Sequence, residues 1–162
     1  MQISKSGESI LTIKCKEGTV RADTRGVEID GLLFSGPGEY ERKGIFVEGL
    51  EPDGLGTIFL IHAEDMNICY AAGIKGVLSA GSVKSLGDID ILIITIDTSD
   101  GLNAKDAEKT ISTIDPRVIV TTKVSPDIDV QSSFAINRED MDVIRFKKSD
   151  LPSEDRRLIV IS

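Results

Sequence analysis

The side chains that most often carry out catalysis are scarce in this sequence. There is one histidine, His62, and the two cysteines, Cys15 and Cys69, stand in strand-like runs with no CxxC or Cys/His spacing. A catalytic zinc site normally combines several histidine and carboxylate ligands, which a single histidine does not supply. We therefore interpret His62 as a structural residue, and both cysteines as core side chains rather than as a disulfide or a metal site.

Two neighbouring carboxylates, Asp97 and Asp100, have the spacing best suited to chemistry. They flank Ser99 and could hold Mg²⁺ or act as a general acid and base. We favour the alternative that they shape a loop ahead of a helix, since aspartate is common in such turns. Ser99 has no histidine to activate it, so a serine nucleophile is disfavoured. Two more aspartates, Asp88 and Asp90, flank the start of the preceding strand, and we expect both to be solvated.

A strand, a helix and a second strand must position these carboxylates. Residues 91–96 form a continuous apolar run, which is typical of a strand covered on both faces. Asn103 is placed to cap a helix whose apolar residues recur at spacings of three and four. Residues 118–120 predict a second strand, parallel to the first because a single helix connects the two. The loops after both strands then open at the same edge of the sheet, where ligands bind in open α/β sheets.

The other predicted elements are mostly strands. Residues 10–16 and 19–23 alternate between apolar and polar, which predicts strands that are wet on one face. On that face we expect the polar side chains Thr12, Lys14, Thr19 and Arg21 to point into solvent. Further strands are predicted over residues 27–30, 45–48, 57–62, 67–71, 142–146 and 157–161, with short helices over 83–86 and 130–138.

This order of elements predicts the fold class. Many antiparallel strands come first, followed by the strand–helix–strand unit and then by closing strands. The arrangement indicates an α/β chain, α+β by content, in which two packed sheets form a β-sandwich. Helices are expected mainly on the outer face of the C-terminal sheet. The length is that of one domain, so we expect a single domain over residues 1–162.

Composition argues against two classes of partner. The net charge of −8 and the pI near 4.7 repel nucleic-acid phosphates, and there is no tryptophan on which bases could stack. No apolar run has the length of a membrane span, and the N-terminal residues do not resemble a signal peptide. We therefore expect a cytoplasmic protein that binds neither nucleic acid nor membrane.

Several segments carry a resemblance to a known family. They are Gly-Pro-Gly-Glu-Tyr-Glu-Arg-Lys-Gly-Ile-Phe at residues 36–46 and the runs at 57–61, 67–69, 86–93 and 115–120. With these segments the sequence resembles the metallo-β-lactamase-fold hydrolases, and among them the small branch related to ascorbate-phosphate lactonases. The resemblance runs from Met1 to about Ile161, and residues 36–46 are its most specific part. It implies a truncated metallo-β-lactamase-like two-sheet β-sandwich.

The same resemblance implies that the metal site of the family is missing. Family members carry an HxHxDH motif between an early strand ending in aspartate and the Gly-Pro-Gly-Glu-Tyr turn. Asp23 matches that aspartate, but only residues 24–35 separate it from Gly36, so the motif-bearing segment is absent. The family's later ligand positions fall on residues of other types, and the resemblance places Lys123 where the family has a late histidine ligand. The vestigial-site positions that the resemblance implies are Glu8, Asp23, Tyr70, Gly73 and Lys123. To these we add the two loop carboxylates Asp97 and Asp100.

Three hypotheses about function follow. The first is a non-catalytic, degenerate member of the family, free of metal and other cofactors, which acts as a binding or structural module for an unknown protein or small molecule. The second is a metal-dependent hydrolase of a small phosphorylated or ester substrate that uses a rebuilt carboxylate site. The third is a subunit whose missing ligands come from a partner protein.

The sequence leaves self-association open. It also predicts that Lys123 pairs with Glu8 or Asp97, which would neutralise the former metal site.

Overall fold

The computed structural model describes residues 1–7, 10–97 and 99–162, and these form two β-sheets. In chain order the strands are β1 (Gln2–Ser6), β2 (Ile10–Lys14), β3 (Thr19–Asp23), β4 (Gly26–Ile29), β5 (Leu32–Phe34), β6 (Gly38–Arg42), β7 (Ile45–Leu50), β8 (Ile58–Ala63), β9 (Met66–Tyr70), β10 (Ile91–Ile93), β11 (Val118–Thr121), β12 (Arg138–Met141), β13 (Val143–Arg145) and β14 (Arg157–Ile161).

The two sheets differ in strand direction. The first is antiparallel, in the order β13-β1-β2-β3-β4-β5. The second has the order β12-β14-β11-β10-β9-β8-β7-β6. Its strands β6 to β9 are antiparallel, whereas β9, β10, β11, β14 and β12 run parallel to one another. The parallel strands therefore end at one common edge of the second sheet.

The core lies between the two sheets. Ile13 and Val20 from the first sheet belong to the same buried cluster as Val47, Ile61 and Ile91 from the second. All five are apolar residues that alternate with polar or outward-facing neighbours, as expected for strands with one face on a core. The two sheets thus form the predicted sandwich.

Helices lie on the outer face of the second sheet. They are α1 (Ala80–Leu86), α2 (Ala104–Ile114) and α3 (Val130–Phe134). Ile111 of α2 belongs to a second buried cluster with Ile119 of β11 and Leu158 of β14. The side chain of Asn103 accepts a hydrogen bond from the backbone N–H of Asp106, so it caps α2 as the sequence predicts. None of the described helices is long and apolar enough to cross a membrane.

The turn at residues 36–38 joins the two sheets. The Tyr40 hydroxyl donates a hydrogen bond to the Gly36 carbonyl at 3.1 Å, and the Tyr40 ring stacks on Phe34 with centroids 4.3 Å apart. A Cβ on Gly49 would lie 2.3 Å from the Gly36 oxygen, so that position has room only for glycine. This packing accounts for Tyr40 in the most specific segment and for the glycine at position 49, which lies outside that segment.

Most predicted elements are confirmed, with changes at their ends. Strand β10 stops at Ile93, although Ile94 and Ile96 beyond it are also buried. The parallel pairing of β10 with β11 is as predicted. Strands β1, β5, β6 and β12 were not predicted. Three of them, β5, β6 and β12, are edge strands whose residues are all exposed or half-buried, so their apolar pattern is weak.

The expected exposure of Thr12 is wrong. Its side chain is buried, with the Ser6 Oγ 2.9 Å from its hydroxyl oxygen. Strand β2 lies between β1 and β3, so a short side chain there is covered by its neighbours. Lys14 and Arg21 on the same face are exposed, because longer side chains reach beyond the sheet surface, and Thr19 is half-buried.

Asp90 is also not solvated, whereas Asp88 is exposed as expected. Asp90 is 6% exposed and accepts a hydrogen bond from the backbone N–H of Asn67 at 2.9 Å. The Lys148 ammonium lies 2.6 Å from its carboxylate, and the Arg117 guanidinium lies 3.8 Å away. A carboxylate can be buried here because charged and backbone donors converge on it. Of the two cysteines, Cys69 is buried and Cys15 is half-buried.

Candidate functional site

The candidate site lies at the edge where the parallel strands end. Tyr70 is the last residue of β9, Asp97 follows β10, and Lys123 follows β11. Ile96 forms isolated parallel bridges with Leu102 and Val124, which draw the loops after β10 and β11 together. The predicted meeting of these two loops at one edge is therefore observed.

Gly101 closes the loop that carries the two aspartates. Its backbone N–H donates to the Asp97 carbonyl at 3.0 Å, and the Leu102 N–H donates to the Thr95 carbonyl at 3.0 Å. A Cβ on residue 101 would lie 2.2 Å from the Thr95 oxygen, so the loop can close this tightly only around glycine. The loop fixes where Asp97 and Asp100 lie.

Asp97 is a buried carboxylate with many donors. One of its oxygens accepts hydrogen bonds from the Ser99 hydroxyl, from the Ser99 backbone N–H at 2.8 Å and from the Asp100 backbone N–H at 3.3 Å. Its side chain is 5% exposed. The hydrogen bonds from Ser99, together with the one from Lys123, hold the pKa of Asp97 well below its usual range. Asp97 is therefore ionised at neutral pH, and both of its carboxylate oxygens have partners.

Lys123 places its ammonium against both loop aspartates. Its Nζ lies 3.0 Å from an oxygen of Asp97 and 3.4 Å from an oxygen of Asp100. These two contacts raise the pKa of Lys123, and the contact with Asp97 has the larger effect. The Thr121 hydroxyl donates to the Lys123 carbonyl at 2.7 Å, which helps to hold the residue in its turn. The predicted partner Glu8 lies outside the described residues.

Asp23 also has a cationic partner. The Arg25 guanidinium lies 2.7 Å from one of its oxygens, and the Arg25 backbone N–H donates to the other at 2.7 Å. The hydrogen bonds from the Arg25 side chain lower the pKa of Asp23. Thus Asp23, Asp97 and Asp100, the three aspartates of the predicted site, each contact a lysine or an arginine.

Two adjoining cavities open between these residues, and we call them together the strand-end cleft. The larger has a volume of about 400 Å³ and the smaller about 230 Å³, and both are lined by Thr24, Tyr70 and Gly73. Lys123 and Asp100 line the larger cavity and Asp23 the smaller. The Tyr70 side chain is buried, and burial raises the pKa of its hydroxyl. The cleft thus brings together residues that lie far apart in the sequence.

Sequence reasoning missed two cations of the cleft. Lys75 donates from its Nζ to the Asp100 carbonyl at 3.0 Å, and nothing in the local sequence indicates that contact. Arg25 stands two residues after Asp23, a spacing at which a pair across a tight turn could have been proposed. His62 lies elsewhere, on the outer face of the second sheet, with its Nδ1 2.8 Å from the Asn67 side-chain oxygen.

The residues of the cleft do not fit a catalytic metal ion. Across residues 1–7, 10–97 and 99–162, no three side chains of the histidine, cysteine, aspartate or glutamate types come together as a metal site requires. Gly73 has no side chain to act as a ligand, and Asp97 is occupied by hydrogen bonds and by the Lys123 ammonium. A dication would have to displace that ammonium from both aspartates.

Comparisons with known proteins agree on the fold. A family model described as a β-lactamase superfamily domain matches residues 7–123. One similar structure is a crystal structure of a candidate zinc-dependent hydrolase of the metallo-β-lactamase superfamily from Thermotoga maritima. Its sequence is 16% identical to this one, the TM-score is 0.79, and the match covers 99% of this chain and 98% of that one. Igni18, a metallo hydrolase of Ignicoccus hospitalis, is 9% identical with a TM-score of 0.57 over 74% of this chain and 81% of that one. No curated protein matches the sequence.

Proposed function

This chain belongs to the metallo-β-lactamase superfamily, and we propose that it is a metal-free, non-catalytic member that works as a binding or structural module. The observation that carries the proposal is the position of Lys123, whose ammonium lies 3.0 Å from Asp97 and 3.4 Å from Asp100. The resemblance aligns Lys123 with a metal-ligating histidine. In this proposal the Lys123 ammonium takes the place of the metal ion and neutralises the negative charge of Asp97 and Asp100.

The other candidate catalytic side chains support the same proposal. The Ser99 hydroxyl donates to Asp97, which is a poor base because its pKa is held low. His62 lies on the outer face of the second sheet and does not line the cleft. An activated nucleophile needs a sufficiently strong base within hydrogen-bonding reach, and Asp97, which contacts Ser99, is too weak a base for that role.

The truncated architecture is part of the proposal. Where the resemblance expects the motif-bearing segment, residues 24–35 contain β4 and β5, which extend the first sheet. We propose that residues 1–162 form a single truncated domain of the metallo-β-lactamase fold, an arrangement supported by the core that the two sheets share.

One observation favours a second candidate function. Asp97 and Asp100 share one cation beside a cavity of about 400 Å³, a volume that would hold a small substrate. If a divalent ion displaced Lys123, the two carboxylates could form a rebuilt site for hydrolysis of a phosphorylated or ester substrate. The hydrolase names of the two similar structures describe those two proteins. Because their sequence identity to this chain is low, the likeness concerns the fold alone.

Metal content separates the two candidates. We expect the protein, purified from cells grown with added zinc and manganese and then dialysed, to contain far less than one metal ion per chain by elemental analysis. Asp97→Ala serves as the matched variant. One or two equivalents in the wild-type protein that disappear in Asp97→Ala would contradict the proposed function and support the hydrolase.

A further inference from the structure

A second concave surface lies on the outer face of the eight-stranded sheet, away from the strand-end cleft. We call it the outer-face groove, and its volume is about 410 Å³. It crosses β6, β7, β8 and β9 and ends against α1 and the residues just after it. The lining residues that matter for the argument are Glu39, Phe46, Glu48, Leu60, His62 and Asp88.

Phe46 is an uncovered aromatic side chain in this groove. It is 55% exposed and belongs to neither buried cluster, although it lies on an inner strand of the sheet, between β6 and β8. Its register partner is His62 on β8. Helix α1 contributes only its last residue, Leu86, to the groove. The helical layer therefore stops short of this part of the sheet.

The charges that line the groove are all of one sign. Glu39 and Glu48 stand directly opposite each other on neighbouring antiparallel strands, an arrangement that destabilises a sheet. Within the described residues, neither carboxylate makes an ion pair or a hydrogen bond. Asp88 adds a third carboxylate at the α1 end, and no lysine or arginine lines the groove. An apolar floor is thus surrounded by acidic groups.

The size of the groove limits what can occupy it. Neighbouring strands lie about 4.8 Å apart, so the four strands from β6 to β9 span about 14 Å. An extended peptide advances about 3.3 Å per residue and would cross that span with four or five residues. The cavity is partly open to solvent and can accept a chain that continues beyond it.

We propose that the outer-face groove binds a basic segment of a partner protein, in which arginine or lysine side chains alternate with apolar ones. A guanidinium group can pair with Glu39 and Glu48 and lie over the Phe46 ring, while an apolar side chain packs on Leu60. The segment supplies the positive charge that the two facing glutamates lack. This surface lies apart from Asp97 and Lys123, so the inference goes beyond the function proposed for the cleft.

The test uses synthetic peptides and charge-matched variants of the whole chain. A fluorescein-labelled hexapeptide of alternating arginine and leucine is titrated with the protein and followed by fluorescence anisotropy. We expect binding to weaken about tenfold or more in Glu48→Lys and in Phe46→Ser. Glu108→Lys on α2 and Leu33→Ser on β5 are the matched controls, and they should bind like the wild type. Binding should also weaken as salt rises from about 0.05 M to about 0.5 M.

Glu48→Lys gives a second, independent readout. It replaces the repulsion with Glu39 by an attraction, so we expect the variant to unfold at a higher denaturant concentration than the wild type while losing the peptide. This result also shows that lost binding does not come from misfolding.

Several outcomes would overturn the inference. They are equal binding of an arginine–serine or a glutamate–leucine hexapeptide, an equal loss of binding in Glu108→Lys, and binding of benzylamine as tight as that of the peptide. The last would indicate a site for a small organic cation. None of these outcomes bears on the metal content of the cleft, so the two proposals fail separately.

Discussion

At the scale of single residues, the proposal of a metal-free cleft rests on how the charges of Asp97, Asp100 and Lys123 are paired. Asp97 is buried, yet it receives hydrogen bonds from Ser99 and Asp100 and an ion pair from Lys123. Buried carboxylates are tolerated when donors of this kind converge on them. Removing Lys123 alone would leave Asp97 as a buried charge without a cation, which strongly destabilises a folded protein.

The pH dependence of stability tests this contact. The pKa of Asp97 is lowered in the folded protein, so its stabilising effect is complete above the ordinary aspartate pKa of about 4 and disappears as pH falls through the lowered value. We expect the difference in unfolding free energy between wild type and Asp97→Asn to be constant from about pH 5 to pH 9 and to shrink below about pH 4. Urea unfolding across this range measures it. A difference that does not change with pH would show that the charge of Asp97 contributes nothing.

At the scale of the elements, the unit from β10 to β11 could be predicted because both faces of its strands are buried. Ile91 and Val118 sit in runs that are apolar throughout, and Asn103 marks the start of α2. Thr12 could not be placed in the same way, since a period of two gives the face of a residue but not what covers that face. Strand β5 has only three residues, which is too short for a period to be seen.

Gly101 provides a test of the loop that carries the candidate site. A Cβ there would lie 2.2 Å from the Thr95 carbonyl oxygen, so the backbone of Gly101→Ala must move. We expect a loss of about 2 kcal/mol in the free energy of unfolding, measured with urea. Gly81→Ala, inside α1, is the matched control and should be neutral or stabilise by about 0.5 kcal/mol, because its Cβ meets no atom closer than 3.9 Å. Equal effects of the two substitutions would contradict the role given to the Gly101 turn.

At the scale of the whole molecule, distant segments meet at polar contacts that sequence patterns do not reveal. Asp90 joins the start of β10 to Asn67 on β9 and to Lys148 near the C-terminal strands. The strand-end cleft likewise combines Asp23 from the first sheet with Tyr70 and Gly73 from the second. The resemblance to a family indicated Asp23, Tyr70, Gly73 and Lys123 as residues of the site, whereas the contacts of Arg25 and Lys75 came only from the structure.

Substitution of Asp90 tests this long-range connection. Asp90→Ala removes the acceptor of the partly buried Asn67 N–H and the partner of Lys148, whose half-exposed ammonium can return to water. We expect a loss of about 2 kcal/mol in unfolding free energy. Asp88→Ala, two residues earlier and exposed, should change stability by less than about 0.5 kcal/mol. If both variants unfold at the same urea concentration, Asp90 does not connect these segments.

The affinity of the intact protein for divalent metal ions tests the central claim most directly. Zn²⁺ and Mn²⁺ are titrated into the dialysed wild-type protein at neutral pH by isothermal titration calorimetry. With Lys123 paired to Asp97 and Asp100, we predict no stoichiometric binding tighter than about 1 µM. A clear isotherm of one or two ions per chain, lost in Asp97→Ala or Asp100→Ala, would contradict the account of a metal-free cleft.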